Sequence, residues 1–243
     1  MLKYTDTTVF NVEAQTIVNT VNCVGVMGAG LALEFKLRYP EMYEDYVNRC
    51  KQKQVKVDRP CLYRGYESPW ILNFATKHHW KYPSKLEWIE QGLTYFVNNH
   101  ERAGIQSIAF PKLGCDKGGL NWDDVRDVME KYLSDVNINV YICLDRESHA
   151  NGIEGLMVEM LNDQKNQFWI SRLKIRSNIA DKINSRLPIK RFRHLQKIPG
   201  VGKKTYEKIF QLLYSKAQSK MSENLKAEPQ SIDADSSQLP LPF

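Results

Sequence analysis

The chain has 243 residues, 42% of them hydrophobic, and a formal net charge of +6, which is enough apolar content for one large or two small packed cores. No run approaches the roughly 18 apolar residues of a membrane span, and the opening Met1-Leu2-Lys3-Tyr4-Thr5 lacks the apolar stretch of a secretory signal. The expectation is a cytoplasmic protein without membrane contact. Five cysteines, Cys23, Cys50, Cys61, Cys115 and Cys143, are odd in number and lack CxxC spacing, and His100, His149 and His194 show no ligand spacing. Neither a disulfide framework nor a metal site is expected.

Up to about Asp145 the chain alternates β-branched runs with amphipathic stretches, the pattern of an α/β architecture. Strands are predicted at residues 16–21, 70–74, 107–110 and 139–143. Ser84-Lys85-Leu86-Glu87 has the form of a capping box, and behind it Leu86, Ile89, Leu93 and Phe96 recur at helical spacing. Asn121 is placed to cap another helix. A polar break at residues 146–152 marks a domain boundary, after which the sequence is helical and basic. No internal repeat is visible.

Between the first predicted strand and the next helix lies Asn22-Cys23-Val24-Gly25-Val26-Met27-Gly28-Ala29-Gly30, a glycine-rich loop of the kind that brings backbone N–H groups to an anion at a helix N-terminus. Alone it reads equally as a tight turn. A second such loop, Pro111-Lys112-Leu113-Gly114-Cys115-Asp116-Lys117-Gly118-Gly119, also follows a strand and precedes a helix. Two anion cradles at the C-terminal ends of strands suit a diphosphate. Neither loop has the GxxxxGK[ST] form of a P-loop, and no GxGxxG with a downstream acid is present, which disfavours an ordinary ATPase or dehydrogenase.

The segments VNTVNCVGVMGAGLALEFK, NFATKHHW with SKLEWIEQGL, and PKLGC followed by GGLNW resemble the macrodomain of the DarG antitoxin family, whose members are DNA ADP-ribosyl glycohydrolases. The resemblance covers roughly residues 1–145. It implies a three-layer α/β/α macrodomain that needs no cofactor and binds ADP-ribose as ligand or product. The implied binding set is Thr8, Val9, Asn22, Gly28, Ala29, Gly30, Thr76, Gly114, Cys115, Asp116, Lys117, Gly118 and Gly119. Within it Asn22 holds the distal ribose, and Lys77 is the catalytic lysine. At the position where macrodomains carry Gly-Asp or Gly-Asn for the adenine, this chain has Thr7-Thr8, and Asp116-Lys117 replaces a Gly-Asn pair. Asp116 either orients water or faces solvent.

Cleaving a glycosidic bond develops positive character at the anomeric carbon while the leaving base takes up a proton. Lys77 suits either need, as a neutral amine attacking that carbon or as an ammonium donating a proton. His78, His79 and Trp80 follow it directly and offer a stacking surface for a flipped base or, equally, packing at the rim.

Residues 161–220 hold 15 Lys and Arg against Asp163, Asp181 and Glu207, a local charge of +12 that leaves −6 on the rest. A polyanion is the natural partner of such a segment. Ile198-Pro199-Gly200-Val201-Gly202-Lys203-Lys204 is similar to a helix-hairpin-helix: Pro199 ends one helix, Gly200 and Gly202 allow a tight hairpin, and the next N-terminus with Lys203 and Lys204 holds a DNA phosphate. Residues 221–243 carry a net charge of −3 with no hydrophobic periodicity and are expected to be disordered. The last six, including Gln238, Leu239, Leu241 and Phe243, resemble the peptides with which bacterial replication proteins dock on the sliding clamp.

The sequence therefore predicts a macrodomain (residues 1–150), a small all-α, helix-hairpin-helix-like DNA-binding module (151–220) and a disordered tail (221–243). The leading activity is removal of ADP-ribose from modified DNA bases, a DNA-repair or antitoxin task that implies ADP-ribosylated DNA and a DNA ADP-ribosyltransferase toxin as partners. The alternative is a non-catalytic ADP-ribose reader that recruits a DNA-binding module.

Overall fold

The computed structural model describes residues 1–66 and 69–227. It divides into two compact units, one spanning Met1–Asn151 and one beginning at Gly152. The proposed clamp peptide lies outside the described residues.

The first unit is built on six strands, β1 (Leu2–Thr5), β2 (Thr16–Asn22), β3 (Cys61–Tyr63), β4 (Trp70–Lys77), β5 (Ser107–Pro111) and β6 (Asn139–Cys143), in the order β1-β6-β5-β2-β4-β3. All neighbours are parallel except β3, which runs antiparallel to β4 at one edge. Successive side chains of a strand point to opposite faces, and the central strands are apolar on both. Ile17, Ile71, Ala75, Ala109 and Cys143 enter one core, while Val18, Leu72, Phe74, Ile108 and Ile142 enter the other. Helices α1 (Gly30–Arg38) and α2 (Pro40–Lys51) cover the first face through Phe35, Met42 and Tyr46. Helices α3 (Leu86–Asn99) and α4 (Trp122–Leu133) cover the second. This is the predicted three-layer α/β/α arrangement.

The two helices of the second face start differently. Asn121 caps α4, accepting from the Asp123 N–H at 2.7 Å. Ser84 does not cap α3, whose N-cap is Lys85 with no side-chain hydrogen bond. The reason is tertiary: the Ser84 N–H is committed to Gly118 O at 2.9 Å, which turns the residue toward the second glycine loop.

The second unit consists of α5 (Gly152–Asn162), α6 (Asn166–Leu173), α7 (Ser177–Asn184), a 3-10 segment (Phe192–Lys197) and α8 (Lys203–Ala227). Met157, Leu161, Trp169, Ile183, Phe192, Leu195, Ile209 and Phe210 form its buried interior. A buried ion pair ties α5 to the 3-10 segment, with Arg191 Nε 3.1 Å from both carboxylate oxygens of Glu154 and the Phe192 N–H donating to Glu154 Oε1 at 2.8 Å. The arm before Pro199 is a six-residue 3-10 segment, Phe192–Lys197, rather than an α-helix. Helix α8 runs past Met221 to Ala227, so the break expected at residue 221 is absent.

Candidate active site

The two glycine loops leave the C-terminal ends of β2 and β5, and the neighbouring strand β4 ends at Thr76 and Lys77. A register shift at Val21/Asn22 is the key local feature. Val21 pairs with Ala75 but Asn22 pairs with Lys77, so the irregularity sets Asn22 beside Lys77 at the mouth. Both are buried, at 6% and 7% exposure.

Asn22 is a template for its own loop. Its Oδ1 accepts from the N–H groups of Val24 and Val26 at 3.1 and 3.4 Å, and its Nδ2 donates to Val26 O at 2.6 Å. The Tyr46 hydroxyl donates to Asn22 O at 2.6 Å, which fixes the strand end to α2. Beneath, Asn19 Nδ2 donates to Asn73 Oδ1 at 2.9 Å, a buried amide pair that links β2 to β4. Gly30 opens α1 at φ +58°, and the preceding N-cap Ala29 brings no side chain to the first-turn amides.

The second loop is a compact turn in which Gly119 N–H donates to Cys115 O at 3.0 Å and Leu120 N–H to Gly114 O at 3.1 Å. Only glycine fits at 118, where a Cβ would lie 2.1 Å from Gly114 O. Ser84 Oγ is buried against this turn without a hydrogen-bond partner. The loops meet: a Cβ on Gly30 would lie 3.7 Å from Lys117 Cγ.

Lys77 spans the gap, its Nζ donating to Lys117 O at 2.6 Å. Burial disfavours the ammonium and lowers the Lys77 pKa below the ordinary lysine value. Cys115 is moved the other way, pushed up to about 11 by burial and then by the Asp116 carboxylate, which keeps it a thiol. Asp116 and Lys117 are exposed on the outer side of the turn. Past Lys77, His79 stacks on Trp80 at 5.5 Å and touches Tyr82 at 5.6 Å, and both partners are at least half exposed. His78 packs instead on Trp88, ring edge to face, at 4.6 Å.

The structure thus brings Asn22, Gly28, Ala29, Gly30, Thr76, Lys77 and Gly114 to Gly119 to one end of the sheet. Thr8 and Val9 sit apart from these loops in sequence, in a 3-10 turn after β1: Thr8 Oγ1 accepts from the Phe10 N–H at 3.3 Å, and Val9 is a core residue. Asn19, Asn73, Tyr46 and Ser84 support the site but are not legible in the sequence, since their partners lie on other elements. A cavity of about 600 Å3, lined by Arg49, Leu62, Arg64, Tyr95 and His100 among others, shares no residue with the loops. Among the described residues no three His, Cys, Asp or Glu side chains group to hold a metal ion, and no helix is long and apolar enough to cross a membrane.

Residues 18–129 match the Macro domain family model. The macrodomain of Mycobacterium tuberculosis DarG is 37% identical with a TM-score of 0.57, covering 59% of this chain and 97% of that one. The chain belongs to the macrodomain family. Thermosipho africanus DarTG in complex with ADP-ribose is a second structural relative of this macrodomain, 36% identical with a TM-score of 0.58, over 63% of this chain and 44% of that one. The DNA ADP-ribosyl glycohydrolase of Thermus aquaticus is 40% identical over 136 residues, 55% of this chain and 38% of that protein. The chain spans less than half the length of the curated DNA ADP-ribosyl glycohydrolases it matches.

Proposed function

We propose that the macrodomain hydrolyses the bond between ADP-ribose and a DNA base, and that the helical unit holds the nucleic acid. The observation that carries the catalytic half is the irregularity that sets Asn22 beside a desolvated Lys77 where two glycine loops meet. ADP-ribose is the ligand of the Thermosipho africanus relative, and the curated relatives are named for removing it from DNA.

The diphosphate lies along residues 28–30 and 114–119, where backbone N–H groups and the first turn of α1 supply partial positive charge. This directs the distal ribose toward Lys77. Lys77 acts as a neutral amine at the anomeric carbon, a role that its lowered pKa favours. Its Nζ–C bond forms as the C–base bond breaks, the proton shed by the amine goes to the leaving base, and water then displaces the lysine to release ADP-ribose. Asn22 acts through the loop it templates, because both ends of its amide are already engaged by residues 24–26. Half-buried His79, with the exposed Trp80 and Tyr82 beside it, receives the modified base by stacking. The substrate is made by a DNA ADP-ribosyltransferase, which makes an antitoxin or repair role in the cytoplasm the natural setting.

Incubation with ADP-ribosylated DNA and, separately, with ADP-ribosylated protein tests the reading. Release of ADP-ribose from the DNA is expected. Binding without release from either substrate would instead establish a reader, and release from protein alone would overturn the DNA assignment.

A further inference from the structure

The helical unit contains a repeat that its sequence conceals. At an offset of 26 positions, the turn from α6 to α7 matches the turn from the 3-10 segment to α8. Lys174 takes the left-handed conformation at φ 51°, as Gly200 does at φ 93°. Ile175 and Val201 follow, both buried, and the next helices begin at Ser177 and Lys203. Ala180 N–H donates to Arg176 O at 3.0 Å, and its counterpart Tyr206 N–H donates to Gly202 O at 3.0 Å. Trp169 and Leu195, Ala180 and Tyr206, and Ile183 and Ile209 are matched buried pairs.

The two turns are also in contact. A Cβ on Gly200 would lie 2.4 Å from Ile179 Cδ1, so the bare backbone of the second turn rests on a side chain in the first turn of α7. Both turns are cationic. Arg172, Lys174 and Arg176 in the first and Lys197, Lys203 and Lys204 in the second are exposed, and residues 172–178 and 197–204 include no carboxylate.

We propose that these two turns form one composite face that grips the phosphate backbone of duplex DNA, with residues 174–178 as a second, glycine-free copy of residues 200–204. The proposal rests on the DNA-binding reading of this unit. Two rigidly linked cationic turns bind as a bivalent unit, because the second engages without a further loss of translational freedom. A lysine in the left-handed region costs about 1 kcal/mol relative to glycine, yet it places an ammonium at the crest of the turn. Backbone contacts of this kind carry little sequence preference.

The test uses the full chain and a fluorescein-labelled duplex of arbitrary sequence, with anisotropy read over a salt series. The Lys174→Glu/Arg176→Glu pair and the Lys203→Glu/Lys204→Glu pair are each expected to weaken binding on the order of tenfold. Each should lower the slope of log affinity on log salt by about 1.8, at roughly 0.9 per lost phosphate contact. Lys182→Glu/Lys208→Glu, at exposed matched positions further along α7 and α8, is the control, with a change under about threefold expected from diffuse charge alone. Loss confined to the second-turn pair overturns the composite face while leaving DNA binding by this unit intact. Equal loss in the control pair overturns it too, since diffuse charge then suffices. No loss in any pair removes the DNA-binding reading and the proposal with it. Lys174→Gly keeps the backbone conformation while deleting one cation, and must weaken binding without lowering the melting temperature, a result that holds even if a double reversal fails to fold.

Discussion

Lys77 carries a charge that its surroundings disfavour, and this has consequences for pH. Its pKa is lower folded than the ordinary 10.5 of a free lysine. Between those two values the unfolded chain binds more protons than the folded one, so stability rises with pH across that window. Turnover that needs the neutral amine rises over the same window. We therefore expect kcat to increase with pH through a midpoint below that of free lysine, and a flat profile would exclude the neutral-amine role. With the glycine loops holding the diphosphate as proposed, Lys77→Ala should lose turnover by about 10²–10⁴-fold while calorimetry still detects ADP-ribose. Activity within about tenfold of wild type would take Lys77 out of the mechanism. Lys77 was singled out only through the resemblance of its Asn73-Phe74-Ala75-Thr76-Lys77 segment to the family's motif, since a lone lysine reads by itself as a solvated surface residue. Asn19, Asn73, Tyr46 and Ser84 were not, because a buried amide or hydroxyl acquires its meaning only from the strand or helix packed against it.

Helix α3 meets the sheet through a missing side chain. A Cβ on Gly92 would lie 2.3 Å from Phe74 Cζ, so the ring fills the space that any other residue would occupy. Gly92→Ala is expected to destabilise the macrodomain by about 1–3 kcal/mol in urea titration through overpacking, with turnover per folded molecule unchanged. Gly118→Ala should do the reverse. Its Cβ collides with Gly114 O rather than with a movable side chain, so the second loop must open, and ADP-ribose affinity should fall by more than about tenfold, equivalent to 1.4 kcal/mol. An unchanged dissociation constant would show that this loop does not hold the ligand. The long buried strands β2 and β4 and the helix α3 were readable from periodicity. The strands β1 and β3 were missed, as they are only four and three residues long and lie at the sheet edges, where the apolar signal is weakest. The Ser84 capping box failed because a local motif lost to a tertiary contact, and the second cationic turn was hidden because Lys174 stands where its partner has Gly200.

At the scale of the molecule, the charge division between the units predicts separable activities. Residues 152–227 alone should bind duplex DNA with an affinity that drops steeply between roughly 50 and 200 mM salt, while residues 1–151 alone should still release ADP-ribose from short oligonucleotides. Salt-insensitive binding would exclude phosphate contacts as its basis. For the terminal peptide, the Leu241→Ala/Phe243→Ala variant is expected to lose binding to a bacterial sliding clamp in surface plasmon resonance with hydrolysis untouched. Survival of that binding would refute the docking reading. The boundary itself, a polar stretch before Gly152, was visible in the sequence, but the acid that secures the helical unit was not. Glu154 lies three residues into that unit and is bound at two points by the buried Arg191. Removing one member of such a pair leaves a charge stranded in a dry interior and typically costs about 3–5 kcal/mol. Any cassette carrying this unit to another protein must therefore splice upstream of residue 152, because a junction only a few residues later would discard the carboxylate and deliver a module that cannot close.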